Sequence, residues 1–371
     1  SPKTYDGLTV EEWRERLINL GPGVPGSVQA VVGLTELVGD RTAPPLVRQQ
    51  AAMMLGRIGR PSLTAIPTLE KLLSEPGTES ESPALWGAKA LALLGPLAKE
   101  TTPRICVLLL ARETARGTRL ACVEALAQIG GHHPKAIPTL IGLLEDSIDH
   151  ESPEHQLELR RAAADALRLI GGHASTAVPT LMNFLDHKDE LLRAKAVGAL
   201  GAMGPAALPS ASVVAERLVF DDVDHVRKRA AFALGQFGPE VNELLIVLSE
   251  DEEPEVRRLS LLAISEQPTL DPKIQTAIVN ALQDADDSVR LEAIKASVSH
   301  RILRSDCLQV GIGLLFSKNR TVSVEAAKQL EKLKPTQAEI EALFDREKLE
   351  SNARARELMR NILRYDAEGQ R

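Results

Sequence analysis

The histidines come nearest, in residue type and spacing, to a set that could bind a metal or catalyse a reaction. His132 and His133 follow a Gly-Gly pair, and His173 follows another such pair 41 residues after His132. Imidazole is a common zinc ligand, but a structural zinc site needs four ligands and a catalytic site three. No cysteine pair and no His-Glu-x-x-His spacing accompanies these histidines. We therefore expect no metal, no cofactor and no catalytic group here.

A second cluster of polar residues lies in segment 147–155, SIDHESPEH, which contains His150, Glu151, Glu154 and His155. Its composition is typical of a solvated loop. No glycine-rich phosphate loop and no nucleophile elbow occurs elsewhere in the chain. The three cysteines lie in apolar helical stretches without a CxxC spacing, and we expect small buried side chains rather than ligands or disulfides: Cys106, Cys122 and Cys307.

Arginine recurs at one place in most of the helical units, and we call these residues the arginine row: Arg48, Arg119, Arg160, Arg193, Arg227, Arg257 and Arg290. Several members follow an acidic residue by three or four positions. We interpret the row as a structural stack that pairs with loop carboxylates and carbonyls, although exposed pairs contribute little stability. The alternative is a stripe that binds anions.

The segment from 221 to 250 shows the unit that positions these residues. Its first helix has one apolar stripe at helical spacing, which includes Val226, Ala230 and Phe237. Gly238-Pro239 then ends this helix and starts a second one. The same register recurs every 30 to 41 residues. Three positions after each arginine position lies a small residue, which lets packed helices approach closely: Ala51, Gly87, Cys122, Ala163, Ala196, Ala230, Ser260, Ala293 and Ala326.

These patterns predict an all-α protein, a right-handed α-solenoid of stacked helix pairs. The pattern V-R-x-x-A-A-x-A-L-G, followed by the second-helix motif Ala-Ile-Pro-Thr-Leu at 65–69 and 136–140, resembles HEAT repeats of the bacterial phycocyanin-lyase-like kind. The resemblance covers about residues 43–335. It implies a fold more than a function, because such repeats occur in scaffolds, lyases and unrelated enzymes.

We expect one continuous solenoid with cap helices at residues 1–42 and 336–371. The first cap would hold helices at 8–20 and 24–38, with Trp13 covering the end of the stack. The lead-in Tyr-Asp-Gly at 5–7, followed by Trp13, is similar to that of planctomycete-type HEAT proteins. In those proteins it often follows an export signal or a membrane anchor. This resemblance, and a first residue that is not Met, favour an exported or membrane-tethered location over a cytoplasmic one.

Composition narrows the class of partner. Of the 371 residues, 44% are hydrophobic, 26% are charged and 3% are aromatic, and the net charge is −7. An acidic chain is a poor partner for nucleic acid, because phosphate binding needs a basic surface. No run of 18 apolar residues occurs, so we expect no membrane span. We expect a monomer that binds protein partners.

Trp86 lies two positions after an arginine position, where Gln50, Lys195 and Arg229 stand in other units. We therefore expect Trp86 outside the core, covered by its own loop or exposed as an anchor for a partner. Two insertions, at 76–82 and 147–155, lengthen the same kind of connection and mark a binding edge. The residues predicted to bind a partner there are Trp86, Glu79, Glu81, Asp149, His150, Glu154 and His155.

The sequence favours a non-enzymatic scaffold for protein–protein interaction. The alternative is an enzyme or chaperone-like factor of the bilin-lyase-like kind, which would need a pigment-bearing partner. Deoxyhypusine hydroxylases need repeated His-Glu pairs, and only 150–151 forms one here. HEAT-type DNA glycosylases need a basic, aromatic concave face, which the apolar second helices lack.

Overall fold

The computed structural model describes residues 2–21, 23–77, 82–145, 152–343 and 351–369, with backbone alone for 363–369. Within these ranges the structure is helical apart from one two-stranded hairpin. The chain divides into two compact units, unit 1 (Ser1–Met203) and unit 2 (Gly204–Arg371). The predicted division into caps and a repeat region of residues 43–335 stays a prediction.

Unit 1 begins with the antiparallel strands β1 (Thr4–Tyr5) and β2 (Leu8–Thr9). Its α-helices are α1 (Val10–Ile18), α2 (Val31–Gly39), α3 (Pro45–Ile58), α4 (Ile66–Leu72), α5 (Pro83–Leu94), α6 (Thr102–Leu110), α7 (Arg116–Ile129), α8 (Ala136–Glu145), α9 (Pro153–Ile170), α10 (Val178–Met182) and α11 (Glu190–Met203). Short 3-10 helices span Arg60–Ala65, Gly95–Thr101, Gly130–His132 and Gly171–Ala177.

Unit 2 continues with α12 (Ala211–Phe220), α13 (Asp224–Gln236), α14 (Asn242–Ser249), α15 (Pro254–Ser265), α16 (Pro272–Ala281), α17 (Asp287–His300), α18 (Arg304–Leu314), α19 (Arg320–Leu333), α20 (Gln337–Ala342) and α21 (Ala353–Gly369). Its 3-10 helices span Gly204–Ser210 and Pro239–Val241. Residues 344–350 of the predicted C-terminal cap lie outside the described residues.

The helices pack as pairs, which confirms the predicted all-α repeat fold. In unit 1 the first helices α3, α5, α7, α9 and α11 contact one another in order, and each second helix packs against the next first helix. Unit 2 repeats this arrangement with α13, α15, α17 and α19. All nine small residues that follow the arginine positions are buried. A methyl group on Gly87 would lie 2.9 Å from the Leu69 carbonyl oxygen and from Leu72 Cβ, so α5 approaches α4 too closely for a larger residue.

Glycine ends the first helices of unit 1 in a conformation that other residues avoid. Gly59, Gly95, Gly130 and Gly171 have φ of 76°, 55°, 70° and 64°, with ψ between −130° and −160°. A positive φ with a strongly negative ψ belongs to the region that glycine enters readily because it lacks Cβ. Each of these glycines leads into a 3-10 helix, which turns the chain into the second helix.

The N-terminal cap differs from the prediction of helices at 8–20 and 24–38. Residues 4–9 form a hairpin whose turn residues, Asp6 and Gly7, have φ of 48° and 79°. An Asp-Gly pair with positive φ at both positions is the favoured two-residue hairpin turn. α1 starts at Val10 because Thr9 and Glu12 form a capping box. α2 starts only at Val31.

Trp13 fills the space between this hairpin and α2. It is fully buried, and its indole N–H donates to the Tyr5 carbonyl at 2.9 Å. A methyl group on Gly33 would lie 2.2 Å from Trp13 Cζ2, so α2 needs glycine at this contact. The Tyr5 hydroxyl donates to Asp40 Oδ2 at 2.6 Å. Burial, together with this bond, raises the pKa of Tyr5 to about 12.

Candidate functional site

A cleft opens where the predicted binding edge meets the N-termini of α3 and α5. We call it the Trp86 cleft. Its volume is about 290 Å³, and its lining residues are Arg41, Pro45, Arg48, Glu75, Pro76, Gly77, Pro83 and Trp86. Pro45 and Pro83 are the first residues of α3 and α5, and Arg41 comes from the loop before α3. The two helix N-termini add positive potential to the site.

The prediction that Trp86 lies outside the core is wrong, because only 4% of the residue is exposed. α5 packs against α3, α4 and α7, so it has little free surface. The equivalent position, two residues after the arginine position, is also buried in other helices, at Ala121 and Leu259. Trp86 therefore forms a wall of the cleft and is not a protruding anchor.

Two arginines and one glutamate give the cleft its charge. Arg48 donates to the Val38 carbonyl from Nε at 3.0 Å and from Nη2 at 2.8 Å. Its Nη2 also donates to Glu75 Oε2 at 2.9 Å, and Arg41 Nε lies 3.4 Å from Glu75 Oε1. The side chain of Arg41 is 70% exposed, whereas that of Arg48 is 7% exposed. The three side chains together carry one net positive charge, which Arg41 presents to solvent.

Most other members of the arginine row are held by backbone carbonyls and by loop carboxylates. Arg119 is fully buried and donates to the carbonyls of Leu109, Thr114, Ala111 and Arg112 at 2.9 to 3.2 Å. Arg227 donates to the Leu218 carbonyl at 2.9 Å and to Glu253 at 3.3 Å. The geometry is that of a structural stack rather than an open stripe.

Further along the row, Arg257 donates to the Asp251 carbonyl at 2.8 Å and makes a two-pronged contact with Asp284 at 2.7 and 2.9 Å. Arg290 donates to the Ala285 carbonyl at 3.1 Å, and Arg193 donates to the His187 carbonyl at 3.0 Å. Arg160 differs from all of these. Its Nε is buried and has no hydrogen-bond partner among the residues that the structure describes.

Comparison with known families agrees with this repeated geometry. The profile of HEAT repeats matches residues 149–235, and the profile of the PBS lyase HEAT-like repeat matches residues 118–146. The chain is a HEAT-repeat protein. The two matches fall on α7 to α13, which include the first and second helices described above. No curated protein matches the sequence.

Solved structures with similar helical stacks include the complex of CpcE and CpcF of phycocyanin lyase from Nostoc sp. PCC7120. That chain is 20% identical, with a TM-score of 0.39, and the match covers 66% of this chain and 91% of that one. Importin beta is 13% identical, with a TM-score of 0.45 and coverage of 90% and 49%. The karyopherin Kap121p bound to the extreme C-terminus of Cdc14p is 13% identical, with a TM-score of 0.48 and coverage of 97% and 43%. The chain spans less than half of these two larger proteins. At such identities the likeness concerns the fold alone.

The predicted contacts in the two insertions are only partly placed. Glu79, Glu81, Asp149 and His150 lie outside the described residues and remain predictions. Glu154 is exposed in the first turn of α9, where a carboxylate suits the positive end of the helix dipole. The backbone N–H of His155 donates to the capping Ser152 hydroxyl at 3.3 Å.

Neighbouring HEAT repeats bring His132 and His173 together, with ring centroids 6.4 Å apart. In the described part of the chain no group of three or more His, Cys, Asp or Glu side chains could hold a metal. The three cysteines are buried as expected. Burial raises the pKa of Cys122 to about 12, so this thiol stays protonated at neutral pH.

By length and composition, one helical stretch of the described residues, Glu190–Phe220, could cross a membrane. It consists of α11, the 3-10 helix Gly204–Ser210 and α12, and Gly204 interrupts it with a φ of 59°. Of its most apolar window, 44% is buried. A buried core helix can pass the same test, so the stretch does not by itself indicate a membrane span.

The sequence interpretation missed Arg41, Glu75 and the prolines of the cleft. One signal was available: Glu75 follows Arg48 by 27 residues, and Asp284 follows Arg257 by the same distance. When acidic residues follow the arginines of the row at a fixed sequence distance, the pattern indicates an ion pair between neighbouring repeats. The two arginine–acid pairs place Glu75 and Asp284 in equivalent loops of their repeats.

Proposed function

We propose that this HEAT-repeat protein is a non-enzymatic scaffold that binds a protein partner at the edge carrying the Trp86 cleft. The observation that supports this most directly is the cleft itself. It combines a largely exposed arginine, a buried ion pair and an indole wall at an insertion between repeats. Insertions on one edge of a solenoid often lie on its binding face.

The walls of the cleft suit a protein side chain. Pro45, Pro76 and Pro83 are conformationally restricted, and Trp86 is already packed, so little side-chain freedom would be lost on binding. The volume of about 290 Å³ is at the lower limit of ligand pockets, which is about 300–1,000 Å³. Arginine and tryptophan, here Arg41 and Trp86, are among the residue types that most often dominate the binding energy of an interface.

The edge of the scaffold would extend to the second insertion. Glu79, Glu81, Asp149 and His150 are proposed as additional contacts, together with Glu154 and His155 at the start of α9. Their acidic and imidazole groups would meet a polar rim of the partner, and rim charges mainly affect association rates and salt dependence.

Affinity purification with charge-reversal variants tests the proposal. Trp86→Ala is a poor probe because it would empty a packed position and destabilise α5. Arg41→Glu instead reverses the exposed charge of the cleft without touching the core. Arg60→Glu is the matched control, since Arg60 is also exposed but lies outside the cleft lining. We expect a protein that copurifies with the wild type and with Arg60→Glu, and is lost with Arg41→Glu. Retention of every partner by Arg41→Glu would show that the site is elsewhere.

The second candidate is a lyase-like or chaperone-like factor of the bilin-lyase kind. The match of residues 118–146 to the PBS lyase HEAT-like repeat favours it. An absorbance scan of each eluate distinguishes the two candidates. A visible chromophore that copurifies in equal amounts with wild type and Arg41→Glu would support the second candidate over the first.

A further inference from the structure

A second groove lies between α1 and α3 and shares no lining residue with the Trp86 cleft. We call it the α1–α3 groove, and its volume is about 320 Å³. One wall is a stripe of α3 at helical spacing, which extends about 16 Å at 1.5 Å per residue. The stripe consists of Leu46, Gln49, Gln50, Met53, Met54 and Arg57.

The groove lies on the side of α3 where a preceding first helix packs in later repeats. α5 approaches α3 closely: a methyl group on Gly56 would lie 2.8 Å from the Ala90 carbonyl oxygen and 2.9 Å from Leu93 Cβ. In the repeat register, Met54 and Arg57 of α3 correspond to Ala90 and Leu93 of α5, so they face α1. α1 has 9 residues, whereas α3 has 14, and it covers only part of this side.

The last residue of α1 excludes closer packing. In the register that matches Gly21 with Gly59, Ile18 stands where α3 has Gly56. Since even a methyl group at Gly56 would meet the next helix at less than 3 Å, a branched side chain excludes the same approach of α1 to α3. Ile18 is 82% exposed and Leu46 is 58% exposed. Exposed apolar side chains around a groove are typical of an interaction site.

The charge of the groove indicates the chemistry of its partner. Arg14 lies on the α1 wall and Arg57 on the α3 wall, and none of the described lining residues is acidic. Glu11 contacts Arg14 at 3.2 Å, but both side chains are exposed and such a pair is weak. The groove is therefore positive on a chain whose net charge is −7. Met53 and Met54 have flexible side chains, which adapt to apolar groups of different shapes.

We propose that the α1–α3 groove binds an acidic amphipathic helix of a partner protein. Its apolar stripe lies against Ile18, Leu46 and Met53, and its acidic flanks meet Arg14 and Arg57. Three turns of a helix are about 16 Å long, which matches the stripe of α3. Helices that dock in grooves use such apolar anchors, and complementary charge at the rim sets their orientation. The inference goes beyond the proposed function, because it adds a second site and states what the partner presents there.

Methyl NMR of the purified full chain tests this site, since the chain has 5 methionines and Met53 and Met54 line the groove. The probe is a capped peptide of about 15 residues, a length at which isolated helices are marginal, with a leucine stripe, glutamate on both flanks and alanine opposite. A second peptide has lysine in place of glutamate. A third has the composition of the first, with leucine spread around the helix.

We expect the glutamate peptide to shift the Met53 and Met54 signals and to leave Met182, Met203 and Met359 in place. It should bind about tenfold or more tightly than the other two peptides. General attraction to a chain of net charge −7 would favour the lysine peptide instead.

Two pairs of substitutions test the apolar and the charged contacts separately. Ile18→Gln with Leu46→Gln should weaken binding of the glutamate peptide by about tenfold or more, because both apolar anchors are lost. Val107→Gln is the matched control: Val107 is 70% exposed on α6, outside the groove, and its loss should change binding by less than about twofold.

Arg14→Gln with Arg57→Gln should abolish the preference for glutamate over lysine. Arg112→Gln with Arg229→Gln removes the same charge from exposed residues outside the groove lining and should preserve that preference. Thermal unfolding checks that each variant is folded, and if one pair fails to fold, the other pair decides.

Three results would overturn the proposal. The first is an absence of shifts at Met53 and Met54, or equal affinity for all three peptides. The second is equal losses in the groove variants and their controls. The third is a shift of both signals with protein concentration alone, which would mean that a second copy of the chain fills the groove. Arg41→Glu should bind the peptide as the wild type does, so either outcome leaves the test of the Trp86 cleft unaffected.

Discussion

Unit 1 and the last repeats of unit 2 end their first helices with different residues. In unit 1 the stop is glycine, at φ near +55° to +76° and strongly negative ψ. In unit 2 the helices α17 and α19 end at Arg301 (φ 56°, ψ 42°) and Lys334 (φ 48°, ψ 62°). The second conformation is the left-handed helical region, which non-glycine residues enter at a cost of about 1–2 kcal/mol.

Two members of the arginine row, one in each unit, are held by different acceptors. Arg119 in unit 1 is fully buried, and four backbone carbonyls surround it. Arg257 in unit 2 has a side chain that is 16% exposed, and a carboxylate supplies two of its contacts. The difference lies between these two repeats and not between the units as wholes, because Arg48 in unit 1 also pairs with a carboxylate, Glu75.

The largest expected effect is at Arg119. Arg119→Met removes the arginine donor from the buried carbonyl contacts of Leu109 and Thr114 and should lower the free energy of unfolding by about 3–5 kcal/mol. Arg257→Met should cost about 1–3 kcal/mol, because water can reach the vacated groups. Urea unfolding of both variants measures the difference. Equal losses of unfolding free energy in the two variants would mean that the burial of a row arginine does not affect its contribution to stability.

The next effect separates backbone conformation from packing. A methyl group on Gly130 would have its nearest neighbour, His132 Cδ2, 3.7 Å away, so Gly130→Ala meets no clash. Its cost, about 1–3 kcal/mol, would come from the φ and ψ angles alone. Gly117→Ala in the same helix is the control and should stabilise by about 0.5–1 kcal/mol, since its surroundings are open and alanine favours helix. If Gly130→Ala is neutral, the glycine stop is not required.

A smaller effect depends on pH. Although burial opposes it, the hydrogen bonds from Arg257 and from the Asp286 backbone hold the pKa of Asp284 below its usual value. Its stabilising contribution is therefore complete above about pH 4–5 and is lost as the pH falls through the folded-state pKa. Asp284→Asn should cost about 1–3 kcal/mol at pH 7 and clearly less at pH 3. A cost that does not change between pH 7 and pH 3 would contradict the pairing with Arg257.

The smallest effect is at the stop of α17. Arg301→Gly relieves the left-handed strain but adds flexibility to the unfolded chain, so the free energy of unfolding should change by less than about 1 kcal/mol. Differential scanning calorimetry is sensitive enough for this comparison. A loss as large as that of Gly130→Ala would mean that the arginine side chain, and not its backbone, ends the helix.

The sequence was sufficient for the repeat fold because its signals are local. Helical spacing, glycine stops and the column of small residues each predict a helix pair, and the buried positions at Ala51, Gly87 and Cys122 agree with them. The hairpin before α1 could also have been predicted, since Asp6-Gly7 between short apolar segments is a strong turn signal.

The site was harder to predict because it depends on contacts between repeats. The position of Trp86 was misjudged because an amphipathic pattern assigns one buried face to a helix, whereas α5 has neighbours on several sides. Asp189 pairs with Arg161, the residue next to the row member Arg160. Both arginines lie at similar sequence distances from Asp189, and only the folded geometry distinguishes them.

Hydrogen exchange on the complex tests the scaffold account most directly. The purified chain, alone and with the partner lost by Arg41→Glu, is digested after labelling, and amide exchange is compared along the sequence. The account predicts slower exchange in the complex at 41–48 and 82–88, which border the Trp86 cleft. Protection confined to α14, α16 or other parts of unit 2, with no change at the cleft, would contradict it.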